Sequence, residues 1–179
     1  IKAAFVLDEG GLSLRDAPVT NGPMTLIGVA EKGYLTLQLE VKAAGGHSNA
    51  PGPRTAVDTL ASAIVAIRAN PFPARYSGVT RDMLEAMAPH APFMARMSIA
   101  NSWLFEPLLV RQMSASPQGA ATLQTTIAPT MLQGSPKQNV LPSVATATIN
   151  LRIMPGESID SVIAHVREAI GDLPVTVSK

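Results

Sequence analysis

The sequence contains no cysteine, few aromatic residues and no strong excess of charge. The absence of cysteine excludes a disulfide framework, thiolate metal ligands and a cysteine nucleophile, although it does not identify the cellular compartment. Charged residues make up 15% of the 179 residues, and 14 basic against 13 acidic side chains leave a formal net charge of +1. Aromatic residues are only 4%, so the chain lacks the basic runs and stacking side chains typical of nucleic-acid binders. No nucleic-acid partner is expected.

Long apolar runs are also missing. No stretch approaches the roughly 20 apolar residues that a membrane-spanning helix needs, so no membrane contact is expected from this segment. The N-terminal sequence IKAAFVLDEGG does not resemble a signal peptide, because an Asp-Glu pair follows a short apolar run. The chain begins without Met and inside a strand-like run, residues 3–7. We therefore expect a piece of a longer protein.

The sequence does contain an ordered series of strand and helix patterns. Residues 34–43 (YLTLQLEVKA) and 144–153 (VATATINLRI) alternate apolar and polar side chains, as strands with one buried face do. Residues 122–133 and 174–179 indicate further strands, and residues 55–69 and 158–170 carry helical apolar stripes with suitable caps. The order predicts an α+β fold: a split βαβ (ferredoxin-like) four-stranded antiparallel sheet with two helices on one face.

A helical insertion is expected at about residues 73–120, rich in Met and Ala and broken by Pro89, Pro92 and Pro107. We interpret its methionines as adaptable packing. His90 lies in this insertion without acidic residues at a ligand spacing. His165 lies in the last predicted helix beside Arg167 and Glu168, where we expect a surface or edge position, and neither histidine is assigned a function.

The segment AGGHSNAPGP places His47 on a tight corner directly after a predicted strand. The glycine pair before it permits unusual backbone angles, and Pro51 and Pro53 stiffen the chain after it. This pattern holds an imidazole away from the core of the domain. A turn histidine without a function is the alternative that the residues alone leave open.

Three stretches together resemble the M20 family of zinc-dependent exopeptidases and amidohydrolases, in particular its carboxypeptidase S-like branch. They are GVAEKGYLTLQLEVKAAGGHSNAPGP, the helix that follows it, and NVLPSVATATINLRIMPG. The resemblance covers nearly the whole chain. It implies that residues 1–30 end a catalytic-domain segment and form a linker, and that residues 31–179 form a lid that pairs with the lid of a second subunit. The family's HxD and Glu-Glu zinc motifs are absent, so this chain alone is expected to be inactive.

The resemblance also implies roles for four residues. His47 is expected to reach the partner subunit's active site and stabilise the oxyanion that forms there. Asn139 is expected to hold the substrate near the reacting carbonyl, and Arg152 to bind the free carboxylate of the substrate through two parallel hydrogen bonds. Glu9 is expected at a zinc-ligand position. One carboxylate cannot hold zinc alone, so the two zinc ions of the whole enzyme are not expected on this chain.

Each of these residues has a simpler interpretation. Asn139 can be a turn residue, Arg152 can be an exposed strand residue paired with Glu157, and Glu9 can belong to a solvated acidic pair in which Asp8 competes for the ligand role. The residues alone do not decide between these interpretations and the roles that the resemblance implies.

The expected function is therefore that of a dimerisation and substrate-binding lid in a zinc-dependent M20 metallopeptidase or amidohydrolase. The whole enzyme would hydrolyse a C-terminal peptide bond or an N-acyl amino acid amide. A homodimer is expected through the helix at 55–69 and a neighbouring strand edge. The alternative is a stand-alone ferredoxin-like module that self-associates or binds a small regulatory ligand.

Overall fold

The computed structural model describes residues 11–15, 20, 22–76 and 78–179. Glu9 and the strand expected at residues 3–7 lie outside these residues. The strands described are β1 (Leu12–Leu14), β2 (Met24–Leu26), β3 (Gly33–Lys42), β4 (Gly46–His47), β5 (Thr126–Gln133), β6 (Val140–Leu141), β7 (Val144–Ile153) and β8 (Thr176–Ser178). The helices described are α1 (Ala56–Ala69), α2 (Gly78–Met87), α3 (Phe93–Ala100), α4 (Ser102–Ser114), α5 (Pro117–Leu123) and α6 (Ile159–Ile170). Among them, none is both long enough and apolar enough to cross a membrane.

The chain divides into two compact units. The helical unit consists of the described residues up to Glu31 together with Ala74–Leu123, and the sheet unit consists of Lys32–Pro73 and Gln124–Lys179. In the sheet unit, four strands lie in the order β5-β7-β3-β8, and every neighbouring pair is antiparallel. Because α1 follows β3 and α6 follows β7, the order of elements is βαββαβ. The predicted α+β, ferredoxin-like fold class is confirmed.

The core of the sheet unit lies between one face of the sheet and the two helices. Strands β3 and β7 pair over ten positions, from Gly33 opposite Ile153 to Lys42 opposite Val144. Every second residue of each strand is buried, and Leu37 of β3 and Ile149 of β7 are fully enclosed and directly opposite each other. Helices α1 and α6 contribute buried side chains to the same cluster. The period-two pattern therefore correctly predicts the buried face of the sheet.

Both helices of the sheet unit begin at hydroxyl caps. The Thr55 hydroxyl accepts a hydrogen bond from the Asp58 backbone N–H, and the Asp58 carboxylate accepts one from the Thr55 backbone N–H. This capping box satisfies amides that the first turn leaves unpaired. The hydrogen bonds from the Thr55 hydroxyl and backbone lower the pKa of the Asp58 carboxyl. Ser158 and Ser161 form the corresponding box at the start of α6.

Strand β5 forms one edge of the sheet. Its pairing with β7 is interrupted by a register shift between Pro129 and Met131. Proline has no backbone N–H and is confined to edges and irregularities of a sheet. Beyond the shift, Met131 and Leu132 are 55% and 66% exposed. The outer end of β5 is therefore an exposed apolar edge.

The helical unit packs around a second cluster, formed by Tyr76, Leu84, Met87, Ile99 and Leu109. Burial raises the pKa of the Tyr76 phenol, and the charge of Glu85 adds to this effect. Pro89 lies in a 3₁₀ turn and Pro92 precedes α3, where prolines do not disturb a helix.

The expectation that Pro107 breaks the helical pattern is wrong, because α4 continues through it. Proline removes one hydrogen bond from the helix, and burial of side chains in the next turn compensates for that loss. Leu109, two residues later, is buried in the cluster.

Candidate functional site

The His47 corner is formed by two glycines and a short ladder. Gly45 and Gly46 have φ angles of +67° and +145°, in a region that residues with a side chain rarely adopt. Strand β4 then pairs antiparallel with β6, with His47 opposite Val140. A Cβ atom on Gly45 would lie 3.1 Å from the Leu141 carbonyl oxygen. The corner therefore needs glycine both for its backbone angle and for its close approach to β6.

The His47 side chain is exposed and is held from one side. Its Nδ1 atom lies 3.1 Å from the Asn49 side-chain oxygen and 3.4 Å from the Asn49 backbone nitrogen. Among the described residues, Nε2 of His47 has no hydrogen-bond partner. When Nδ1 accepts a bond from the Asn49 N–H, a neutral imidazole carries its proton on Nε2. When Nδ1 instead donates to the Asn49 side-chain oxygen, Nε2 is an acceptor, so the two contacts of Nδ1 select opposite tautomers.

Asn139 lies beside His47 in the structure, although 92 positions separate them in the sequence. The Asn139 carbonyl oxygen accepts a hydrogen bond of 3.1 Å from the Ser48 backbone N–H. Ala43 bonds to Ser143 in the same manner, at 2.9 Å. The loop before β7 is therefore tied to the histidine corner on both sides of the β4–β6 ladder.

Arg152 lies at the opposite end of β7. It is eight residues beyond Val144, the residue of β7 nearest the corner, a distance of about 26 Å along an extended strand. The guanidinium carbon lies 5.0 Å from the centroid of the Tyr34 ring, its cross-strand neighbour. The Tyr34 hydroxyl in turn accepts a hydrogen bond of 3.0 Å from Thr36. The structure brings His47 and Asn139 together and places Arg152 apart from them within one chain.

Glu157 is not the partner of Arg152. Its carboxylate accepts a short hydrogen bond from the Thr125 hydroxyl, which also accepts one of 2.8 Å from the Met154 N–H. Lys32 lies nearby and donates to the Gln124 carbonyl oxygen at 2.6 Å. Burial lowers the pKa of Lys32, and the charge of Glu157 partly opposes that shift. Sequence reasoning missed both this network and Tyr34, whose contact with Arg152 depends on the register of two distant strands.

A metal centre is not formed by the part of the chain that the structure describes. No three side chains of His, Asp or Glu come together there in a way that could hold an ion. Glu9 lies outside the described residues. The donor set of this part of the chain therefore does not fit a metal ion.

The sequence of residues 29–177 matches the family model described as a peptidase dimerisation domain, that of the M20 peptidases. The chain belongs to this family. M20 peptidases are metal-dependent, and the domain is the part of these hydrolases named for dimerisation.

Known proteins similar to this M20 dimerisation domain are much longer. The human N-fatty-acyl-amino acid synthase/hydrolase PM20D1 is 38% identical over 174 residues, covering 96% of this chain and 35% of that protein. The probable carboxypeptidase S-like 2 of Dictyostelium discoideum is 37% identical, covering 98% and 34%. The crystal structure of human carnosine dipeptidase 1 is 15% identical, with a TM-score of 0.49, and covers 82% of this chain and 36% of that one. The chain spans about a third of the length of the curated relatives that it matches.

Replacement of Gly45 by Ala is expected to distort the His47 corner. A side chain at φ +67°, with its Cβ 3.1 Å from a carbonyl oxygen, should lower the free energy of unfolding by about 1–3 kcal/mol. It should also speed exchange of the Ser48 amide, which bonds to Asn139. Urea unfolding and amide hydrogen exchange measure the two effects. Gly52→Ala in the same loop is the control, because its Cβ would meet nothing within 4 Å; equal behaviour of the two variants would contradict the prediction.

Proposed function

We propose that this chain is the lid and dimerisation domain of a zinc-dependent M20 hydrolase, and that His47 serves the active site of a partner subunit. Residues 1–30 then end a catalytic segment and residues 31–179 form the lid. The observation that carries the proposal is the construction of the corner: an exposed imidazole, fixed at Nδ1, on a glycine turn tied to the β6 loop. A rigid support of this kind suits a residue that acts on a group outside its own domain.

The chemistry proposed for His47 is stabilisation of an oxyanion. When water adds to an amide carbonyl, negative charge develops on the oxygen, and a preorganised N–H donor lowers the energy of that state. Nε2 can donate to that oxygen in the tautomer in which Nδ1 accepts the hydrogen bond from the Asn49 backbone N–H, and we assign the role to that tautomer. Asn139, tied to Ser48 at 3.1 Å, is proposed to orient the same substrate group through its side-chain amide.

Arg152 is proposed to bind the free carboxylate of the substrate. Its guanidinium is exposed on the face of the sheet that the helices do not cover, and it lies 5.0 Å from the Tyr34 ring. A planar guanidinium stacked on a ring keeps its edge available for two parallel hydrogen bonds to a carboxylate. The distance between Arg152 and the corner suggests that the two belong to different active sites of a dimer.

The metal is proposed to be zinc, with Glu9 among its ligands and the others in the rest of the whole protein. The substrates are proposed to be N-acyl amino acids or peptides with a free C-terminal carboxylate. Relatives named as N-fatty-acyl-amino acid hydrolases and as carboxypeptidases support these two classes. Substrates of both classes contain an amide bond next to a residue with a free carboxylate.

The proposed dimer surface combines α1 with the edge strand β5. Val57, Ala61 and Val65 form an exposed stripe along α1, with Val57 46% and Val65 67% exposed. Arg68, at the end of this stripe, donates to the Ile127 carbonyl oxygen of β5 at 2.8 Å, so the stripe runs beside the strand edge. Exposed apolar side chains next to an unpaired strand edge form a surface that a second copy can cover.

His47→Ala in the whole protein is expected to lower kcat about 10²–10³-fold with a much smaller effect on KM. An oxyanion donor acts on charge that develops in the transition state, and this is the typical loss for one donor. Steady-state kinetics with an N-acyl amino acid measure the effect. A rise in KM with unchanged kcat would contradict the assignment.

Subunit mixing distinguishes action in the partner's site from action in the same subunit. A His47→Ala chain is paired with a chain that lacks a metal ligand. If His47 acts across the dimer, the intact metal site receives its histidine from the partner, and activity returns at up to one site per dimer. Heterodimers that form but remain inactive would overturn the proposal.

Arg152→Leu is expected to lower kcat/KM about ten- to hundredfold for substrates with a free carboxylate, because charge-assisted hydrogen bonds are lost. For the same substrates with the carboxylate converted to a carboxamide, Arg152→Leu should change kcat/KM little. Tyr34→Leu should produce a weaker loss in the same direction, of about two- to fivefold. Gln38→Leu, on the same exposed face of β3, is the control. An equal loss with capped and free substrates would argue against carboxylate recognition.

Val65→Lys is expected to weaken self-association at least about tenfold, because an interface core tolerates an unpaired charge poorly. Sedimentation velocity over a range of protein concentrations measures the change. Ala164→Lys places the same charge on the exposed side of α6 and should have no effect. A wild-type chain that stays monomeric at high concentration, or equal behaviour of both variants, would count against the surface.

A further inference from the structure

The helical unit contains a cavity of about 750 Å³ between the segment at residues 22–29 and helix α2. Its walls include Met24, Leu26 and Ile27 on one side and Val79, Met83 and Met87 on the other. The α2 residues are spaced by four positions and therefore lie on one face of the helix. The volume lies in the range of pockets that bind a small organic ligand, and the cavity is open to solvent on one side.

The lining is mostly apolar, and its polar side chains are those of Thr20, Thr25, Asp82 and His90. Asp82 and His90 are the titratable groups among the lining residues, and both are exposed. Lys and Arg are absent from the lining residues, so the cavity offers an anion no permanently charged cation, and the Asp82 carboxylate repels one. Ile27 and Val29 are 82% and 77% exposed, which is unusual for large apolar side chains grouped at one place.

We propose that this cavity binds the aliphatic chain of an acyl group, with the polar head group outside it. The proposal rests on the proposed function in that it assigns the acyl part of an N-acyl amino acid substrate. A hydrocarbon chain needs no hydrogen-bond partners, whereas a peptide would leave its backbone N–H and C=O groups largely unpaired against such walls. Methionine side chains adapt to a chain of variable shape, and several relatives are named for fatty-acyl amino acids.

Binding is tested with the chain carrying ¹³C-labelled methionine methyl groups, titrated with N-acetyl-, N-octanoyl- and N-dodecanoylglycine below their micelle concentrations. Of the eight methionines, Met24, Met83 and Met87 line the cavity, and their signals are expected to shift. Met131 and Met154, in the sheet unit, should not. A fully buried methylene contributes roughly fourfold in affinity, so the dodecanoyl compound should bind at least about tenfold more tightly than the octanoyl compound.

Two matched variants locate the site. Ala86 lines the cavity and is exposed, so Ala86→Phe should fill the space without disturbing the core. It is expected to weaken dodecanoylglycine binding at least about tenfold. Ala100→Phe, exposed at the end of α3 and not among the lining residues, should leave binding unchanged. The uncharged amide of dodecanoylglycine should bind at least as tightly as the acid, since no Lys or Arg lines the cavity and Asp82 repels a carboxylate.

The outcomes separate this proposal from the proposed function. Binding affinity that rises with the length of the acyl chain, together with shifted signals of Met24, Met83 and Met87, supports the cavity even if the whole protein hydrolyses no amide. Conversely, hydrolysis of N-acetyl and N-dodecanoyl substrates at equal kcat/KM, with these three signals unmoved, overturns the cavity and leaves the hydrolase intact. Shifts spread over all eight methionines, or binding unaffected by Ala86→Phe, also overturn it.

Discussion

The antiparallel pairing of β3 with β7 is the interaction on which the rest of the sheet unit depends. Its ten-residue register places Lys42 opposite Val144 at one end and Tyr34 opposite Arg152 near the other. The first end leads directly into the histidine corner, and the second sets the guanidinium beside its ring. A slip of one residue would turn every buried side chain to the opposite face. The packing of the core therefore also determines where the candidate functional groups lie.

Much of this fold could be predicted because its signals are local. Alternation along residues 34–43 and 144–153 indicates the buried face of both central strands, and Thr55 with Asp58 indicates the start of α1. The glycines before His47 indicate a turn with positive φ, which both of them adopt. Each signal lies within a few residues of the structure that it specifies, and so the single sequence carries it.

Features that join distant segments could not be predicted in the same way. The β4–β6 ladder joins His47 to Val140, and no local pattern marks strands of two residues. The contact between Tyr34 and Arg152 depends on the register of two strands that lie more than a hundred positions apart. At Pro107 the local sequence predicts a helix break, but packing around Leu109 keeps α4 continuous. Tertiary packing decides each of these features.

The interruption of β5 at Pro129 limits how this protein can assemble. An unbroken sheet edge is a template to which strand after strand can add, and such growth leads to fibres. At Pro129 the chain offers no N–H, and the shift before Met131 breaks the row of regularly spaced backbone groups. An incoming strand therefore finds only a short segment to pair with, in a restricted register. Such an edge favours a closed pair of subunits over open-ended polymerisation.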